Sequence, residues 1–237
     1  RLDQIDIKNP STGDTEIAPE VGKKIISVVS PSLTYDSRDN VFDTRKGDLL
    51  TASFDFAGGP LGGDKSYTKF LGRASHYFPM PRGAVLELRG RVGLAQPYGS
   101  TEKIPIYERF FAGGAYTIRG YEERKVGPVD SSSKDPLGGA SMAVGNIEYT
   151  YPLFSFLKVA AFYDIGNVWE KMGDIFSNKN ANGVANTGGF KSGVGLGLRI
   201  KTPIGPIMLD YGIPMDKASG EDTKGDGRFH FSASHGF

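Results

Sequence analysis

The sequence predicts an all-β chain, an antiparallel transmembrane β-barrel, and three observations carry that expectation. Apolar and polar residues alternate with period two along most of the chain, several of the alternating runs reach about nine to thirteen residues, and tight turns alternate with longer loops. Soluble strands usually run to about five or six residues, whereas a tilted crossing of the hydrocarbon layer needs about nine to eleven. A soluble sandwich would also alternate, but it has no use for strands of that length. No segment has a helical period, and no apolar run approaches the ~18 residues of a helical span.

Taken in order, a weak first strand is expected near Leu2–Lys8 and a second over Ile25–Asp36. In the third, Leu50, Ala52, Phe54 and Phe56 share one face and Thr51, Ser53 and Asp55 the other. A fourth runs over Thr68–Phe78. The clearest is the fifth, with Ala84, Leu86, Leu88, Gly90, Val92 and Leu94 opposed by Val85, Glu87, Arg89, Arg91 and Gly93. After a long connection come Ala143, Gly145, Ile147, Tyr149 and Tyr151 against Val144, Asn146, Glu148 and Thr150, then Leu157, Val159, Ala161, Tyr163 and Ile165 against Lys158, Phe162 and Asp164. The eighth strand sets Phe190, Ser192, Val194, Leu196, Leu198 and Ile200 against Lys191, Gly193, Gly195, Gly197, Arg199 and Lys201. Ile207–Tyr211 and Arg228–Phe237 complete about ten strands, an even number that a membrane barrel could close.

Turn chemistry separates the strands: Pro81-Arg82-Gly83, the stretch from Thr202 to Pro206, and the glycine-rich run from Gly58 to Asp64. Tyr35, Phe78, Tyr149, Tyr151, Phe190, Tyr211 and Phe237 collect toward strand ends, where interfacial aromatic girdles sit.

Composition excludes several classes of function. With 28 basic and 27 acidic residues mixed along the chain, there is no electrostatic footprint for nucleic acid. The absence of cysteine removes thiol nucleophiles and thiolate metal sites, and His76, His230 and His235 lack metal-ligand spacing. No nucleophile or acid–base constellation suggests an enzyme, and no cofactor is expected. Asp36, Arg38 and Asp39 lie where a strand enters a loop and read as an intrabarrel or rim charge network rather than as a catalytic carboxylate pair. Gly193, Gly195 and Gly197 form a GxGxG run, but no helix follows to make it a dinucleotide loop.

The connection from about 96 to 138 is out of scale and has no strand period, the mark of a loop with a function. It contains the run from Arg109 to Tyr121, RFFAGGAYTIRGY, in which Gly113 and Gly114 permit sharp turns and Arg109 and Phe110 support a compact fold. An arginine on a loop folded into a barrel lumen needs a carboxylate, because a guanidinium taken out of water without a partner is costly and its planar fork suits two-point pairing. Carboxylates on the polar faces, Glu148 and Asp164 among them, could supply one. Such a pair could also do no more than hold a plug in place.

That run resembles the sixth-loop motif of the BamA/TamA and two-partner-secretion transporter superfamily, with Ile118, Arg119, Gly120 and Tyr121 at its Arg-Gly-Tyr core. The family's Phe-x-Asp-x-Gly strand is matched by Phe162, Asp164 and Gly166, and its intervening acidic residue by Glu148. LTYDSRDN (33–40), the stretch 193–212 and the aromatic C-terminus FHFSASHGF are similar too. Phe229, Phe231 and Phe237 resemble the terminal assembly signal of outer-membrane barrels, on a seam strand. The resemblance implies a bacterial outer-membrane barrel that inserts and folds other β-barrel proteins, working with outer-membrane lipids, unfolded barrel clients and periplasmic lipoprotein accessories. A secretion pore of the same superfamily or a passive porin-like barrel is the alternative.

Family barrels have about sixteen strands preceded by POTRA domains. No POTRA-like βα repeat is found here, and the long loop follows the fifth strand rather than the eleventh. Residues 1–237 are therefore expected to be a C-terminal barrel domain matching the family's last ten strands. A closed ten-stranded barrel would be narrow for a loop of this size, since diameter grows with strand number.

Overall fold

The computed structural model describes residues 2–7, 22–130, 133–176, 189–202, 205–217 and 225–233. Its strands are β1 (Leu2–Ile7), β2 (Gly22–Val29), β3 (Ser32–Asp36), β4 (Gly47–Ala57), β5 (Tyr67–Pro79), β6 (Val85–Pro97), β7 (Ser141–Phe154), β8 (Leu157–Trp169), β9 (Lys191–Thr202), β10 (Gly205–Pro214) and β11 (Arg228–Ala233). They form one sheet in the order β1-β2-β4-β5-β6-β7-β8-β9-β10-β11, with β3 also on β4 and every pairing antiparallel.

β2 and β3 are halves of one strand. Val29 faces Phe56 and Ser32 faces Ser53, so the register against β4 runs unbroken across Ser30 and Pro31. Pro31 has no N–H to give the ladder, yet its carbonyl accepts from the Phe54 N–H at 3.0 Å. The expected Ile25–Asp36 strand is thus interrupted without a slip. The last strand is described only to Ala233; Phe237 lies outside the described residues.

Residues 37–46, 80–84 and 155–156 join strands at one rim, and 58–66 and the far longer connection between β6 and β7 join them at the other. Among the described residues no pairing joins β1 to β11, so the sheet is not closed.

The two faces divide as period two requires. Leu88, Val92, Ile147, Tyr149, Leu196, Leu209 and Phe229 are exposed on the outer face. This face carries the apolar side chains, the reverse of a water-soluble protein and the pattern of a wall against lipid. The inner face is covered toward the long-loop rim by residues 98–140. Ile104, Phe110, Ala112, Ile118, Tyr121 and Val126 of this loop pack with Ile26, Val28, Ala57, Tyr67, Ala95, Met142, Val144 and Val168 of the wall in one buried cluster. Gly93 makes room for it, since a Cβ there would lie 2.6 Å from the Phe110 ring.

The outer face generates a direct expectation. Leu88→Arg should destabilise the protein in phospholipid vesicles by about 2–4 kcal/mol if Leu88 lies near mid-bilayer. Denaturant titration of vesicle-folded protein checks this, and an unchanged midpoint would place Leu88 away from the hydrocarbon.

Candidate functional site

Even-numbered residues of β7 and β8 point inward, which sets Asn146, Glu148, Phe162 and Asp164 on the lumen side. Asn146 and Asp164 are opposed in the register, as are Glu148 and Phe162. Glu148 is 5% exposed and Asp164 fully buried. Two carboxylates at such depth require cationic partners, and the long loop supplies one.

The loop reaches that depth through its own folding. Arg109 donates from Nε to the Ile104 carbonyl at 2.8 Å and from Nη1 to that of Leu137 at 3.1 Å, tying the loop's two limbs together. Phe110 and Gly139 exchange backbone hydrogen bonds of 2.9 and 3.0 Å. The Thr117 hydroxyl accepts from the Gly113 N–H at 2.8 Å. Gly113 sits at φ 104°, and its missing side chain gives way to the Glu122 carbonyl; Gly114 likewise leaves space for the Glu123 side chain. These contacts turn residues 118–121 down onto the wall.

Arg119 then meets three carboxylates from three strands. Its backbone N–H and Nε–H donate to Asp164 Oδ2 at 3.0 and 2.7 Å, and Nη2 donates to Oδ1 at 2.8 Å. Nη1 donates to Glu148 Oε2 at 2.7 Å and, at 3.3 Å, to Asp210 Oδ2 on β10. The guanidinium lies 3.5 Å above the centre of the Phe162 ring, a cation–π stack within a site shielded from water. Asn146 Nδ2 donates to Asp164 Oδ1 at 2.8 Å and to the Thr117 carbonyl at 2.7 Å, linking wall and loop a second time.

A second guanidinium completes the cluster. Arg199 of β9 donates from Nε and Nη2 to the two oxygens of Glu148 at 2.9 and 2.8 Å, and from Nη1 to Asp210 Oδ1 at 2.7 Å. Three carboxylates thus face two guanidiniums in direct contact, with Arg89 of β6 3.8 Å from Glu148.

The neighbouring loop residues reach the last strands. The Gly120 N–H donates to His230 Nε2 on β11 at 2.9 Å, which requires that nitrogen to be unprotonated. The Tyr121 hydroxyl donates toward the carbonyls of Ser192 and Asp216, each at 3.0 Å, and accepts from the Asp216 N–H at 3.1 Å. Glu122 pairs with Arg228 of β11 at 2.6 Å. Gly120 adopts φ 96° and lies so close to β10 that a Cβ would sit 2.8 Å from Pro214 N. Ile118 is fully buried in the apolar cluster above.

The structure brings Ile118, Arg119, Gly120 and Tyr121 together with Glu148, Phe162 and Asp164. Gly166, two residues along, fits because a Cβ would stand 2.6 Å from the Ala143 carbonyl oxygen. Phe229 and Phe231 point outward on the edge strand, 85% and 66% exposed, and do not join the cluster. Sequence reasoning missed Arg199, Asp210, Asn146 and His230. The available signal was the polar-face position of each on a period-two strand, with Arg199 set among inward glycines. It also left those glycines without a role. A Cβ at Gly193 would strike the Arg119 carbonyl oxygen, at Gly195 the Phe162 ring, and at Gly197 the Asp210 carboxylate, while one at Gly212 would lie 2.5 Å from Gly120 N. The inner face of β9 and β10 is bare so that the loop can lie on backbone.

Comparison with known proteins fits this geometry. The model of the Omp85 superfamily domain matches residues 2–237. The chain is 30% identical to the outer membrane protein assembly factor BamA of Nitratidesulfovibrio vulgaris, over 100% of this chain and 29% of that protein. It is 30% identical to the SAM50-like protein CG7639 of Drosophila melanogaster, over 84% of this chain and 43% of that one. Its fold is similar to the crystal structure of BamA from Haemophilus ducreyi lacking POTRA domains 1–3, with TM-score 0.75 and 20% identity, covering 96% of this chain and 48% of that one. The chain thus spans less than half the length of these proteins.

Two substitutions separate charge from space in holding the loop. Asp164→Ala removes the main partner of a buried guanidinium and should cost about 3–5 kcal/mol. Gly193→Ala leaves every charge in place but pushes on the Arg119 backbone. Both should expose residues 98–140 to limited proteolysis; protection unchanged in Gly193→Ala would mean that the loop does not rest on β9.

Proposed function

The chain belongs to the Omp85 superfamily, and we propose that it is the barrel portion of an outer-membrane protein that inserts and folds other β-barrel proteins, with the Arg119 cluster locking the long loop inside the lumen. The family membership, the names of the relatives and the outward apolar face support the outer-membrane setting. The single observation that carries the proposed lock is the three-carboxylate grip on Arg119 from β7, β8 and β10.

The proposed activity involves no covalent step. An edge strand carries unpaired N–H and C=O groups that lipid cannot satisfy, so it accepts an incoming strand as a template. β11 pairs through only six positions with β10 and is an edge among the described residues. The loop contacts this strand twice, through Gly120 to His230 and Glu122 to Arg228. In this reading the lock sets the position of the edge: while Arg119 is held, β11 is supported from the lumen side, and its outward Phe229 and Phe231 meet lipid. The clients are unfolded outer-membrane barrels, whose own strands present matching unpaired edges. Phospholipid and periplasmic accessory lipoproteins complete the working assembly.

Arg119→Ala should release the loop and slow client folding by about tenfold or more, since a lost buried pair far exceeds the ~1.4 kcal/mol of a tenfold change. Arg119→Lys, which keeps charge but loses the planar fork, should fall between. The assay is heat-modifiable folding of a client barrel in proteoliposomes carrying the intact protein. Full client folding by Arg119→Ala, with the loop still protease-resistant, would remove the lock from the mechanism.

A further inference from the structure

The connection 37–46, at the rim opposite the long loop, is built as carefully as the lock. Arg38 and Asp36 form a two-point fork of 2.9 and 2.8 Å. Asp39 Oδ1 accepts the backbone N–H groups of Arg45 and Lys46 at 2.9 and 3.3 Å. Asn40 Oδ1 accepts those of Phe42 and Asp43 at 2.8 and 2.9 Å, and the Thr44 hydroxyl donates to the Asn40 carbonyl at 2.6 Å. These are the side-chain-to-backbone bonds by which Asp and Asn fix a turn.

The fixed turn delivers Asp43 far from its own hairpin. Asp43 pairs with Lys158 of β8 and with Lys201 of β9, the latter at 3.5 Å. β5, β6 and β7 stand between β4 and β8 in the sheet. At about 4.8 Å per strand, four spacings come to roughly 19 Å along the wall. The contact therefore crosses the concave side of the sheet. Asp43 and Lys158 are 19% and 23% exposed, which distinguishes them from a freely solvated surface pair. Burial raises the Asp43 carboxyl, but the neighbouring Lys158 and Lys201 more than offset it and hold the group below its ordinary value.

Behind the turn is a cavity of about 210 Å³ whose walls include Tyr77, Glu87, Arg89, Glu148 and Arg199. Its floor is thus the underside of the Arg119 cluster. Lys158, Phe162 and Asp164 lie on one inward face of β8, and Arg199 and Lys201 on one inward face of β9. We propose that the 37–46 turn is a second plug of the lumen, seated from the short-turn rim and latched by Asp43 onto β8, which also grips Arg119, and onto β9, which carries Arg199. The proposal rests on the membrane-barrel reading above, and it assigns a role to the DSRDN stretch, which that reading leaves unused.

Residues 1–237 contain no cysteine, so within this portion an introduced pair is the only pair of thiols. In the intact protein in outer membranes, Asp43→Cys with Lys158→Cys should be bridged in high yield by a short bis-maleimide, whereas Asp43→Cys with Leu88→Cys, on the outer face, should not. In planar bilayers Asp43→Asn, a nearly isosteric loss of charge, should raise mean ion conductance at least twofold. Asp43→Lys combined with Lys158→Asp and Lys201→Asp should return it to the parental level. Absence of the specific cross-link overturns the docking, and a cross-link with unchanged Asp43→Asn conductance overturns the plug. Flotation of the protein with liposomes at alkaline pH separates these results from failure of the membrane-barrel reading, in which case the protein would not float.

Discussion

Everything on the inner face of this sheet depends on one guanidinium taken out of water. Arg119 is 3% exposed, and a cation at that depth is tolerable only if charge and hydrogen-bond geometry are both satisfied. Asp164 alone takes three of its donors, yet Glu148 and Asp210 are drawn in from β7 and β10 as well. Three buried carboxylates around one cation would repel one another, and Arg199 answers that excess from β9. The four adjacent strands are thereby fixed in register relative to each other. A one-residue slip in any of them would turn its contributing side chain outward into the apolar face.

The lock also explains why β9 and β10 look poor as strands. Glycine in a strand interior forgoes side-chain packing and weakens the pairing. Here the missing side chains at Gly193, Gly195 and Gly212 are replaced by the Arg119–Gly120 backbone and the Phe162 ring. Loop and strands are therefore mutually dependent: the strands are bare because the loop covers them, and the loop stays down because they are bare. This glycine-rich region adjoins the short edge strand β11, which pairs with β10 through six positions against the ten of β9 with β10.

The strands and their faces were legible in the period-two pattern, and Arg119, Glu148 and Asp164 were legible as a group through the motif resemblance, with which that pattern agrees. Period two assigns each residue to a face, and buried charge of one sign demands the other. Face alone does not say which of several inward charges will meet. Arg199 and Asp210 were on the polar face of their strands, but their joining the cluster depends on sheet curvature and on how deep the loop descends, neither of which is encoded locally. Pro31 shows a related limit. It marks a break in the strand, yet the continuous register from Val29 to Ser32 is set by β4 across the ladder. The DSRDN stretch was readable as an intrabarrel or rim charge network, while the reach of Asp43 to Lys158 is a property of the curved sheet.

The distribution of these tethers along the sheet has a mechanical consequence. β8 and β9 receive contacts from both connections that enter the lumen, Asp164 and the Ser192 carbonyl from the long loop and Lys158 and Lys201 from the short-rim turn. β1 pairs with β2 and packs Ile5 against the buried cluster, and β11 pairs with β10 and meets the loop at His230 and Arg228. Local opening follows the weakest cooperative unit rather than the whole fold. Release of the loop would remove support from β11 as well, because Gly120, which touches β11, follows Arg119 directly in the chain and Glu122 lies three residues on. A lock placed one residue away from the contact with the edge strand cannot open without that strand losing its inner support.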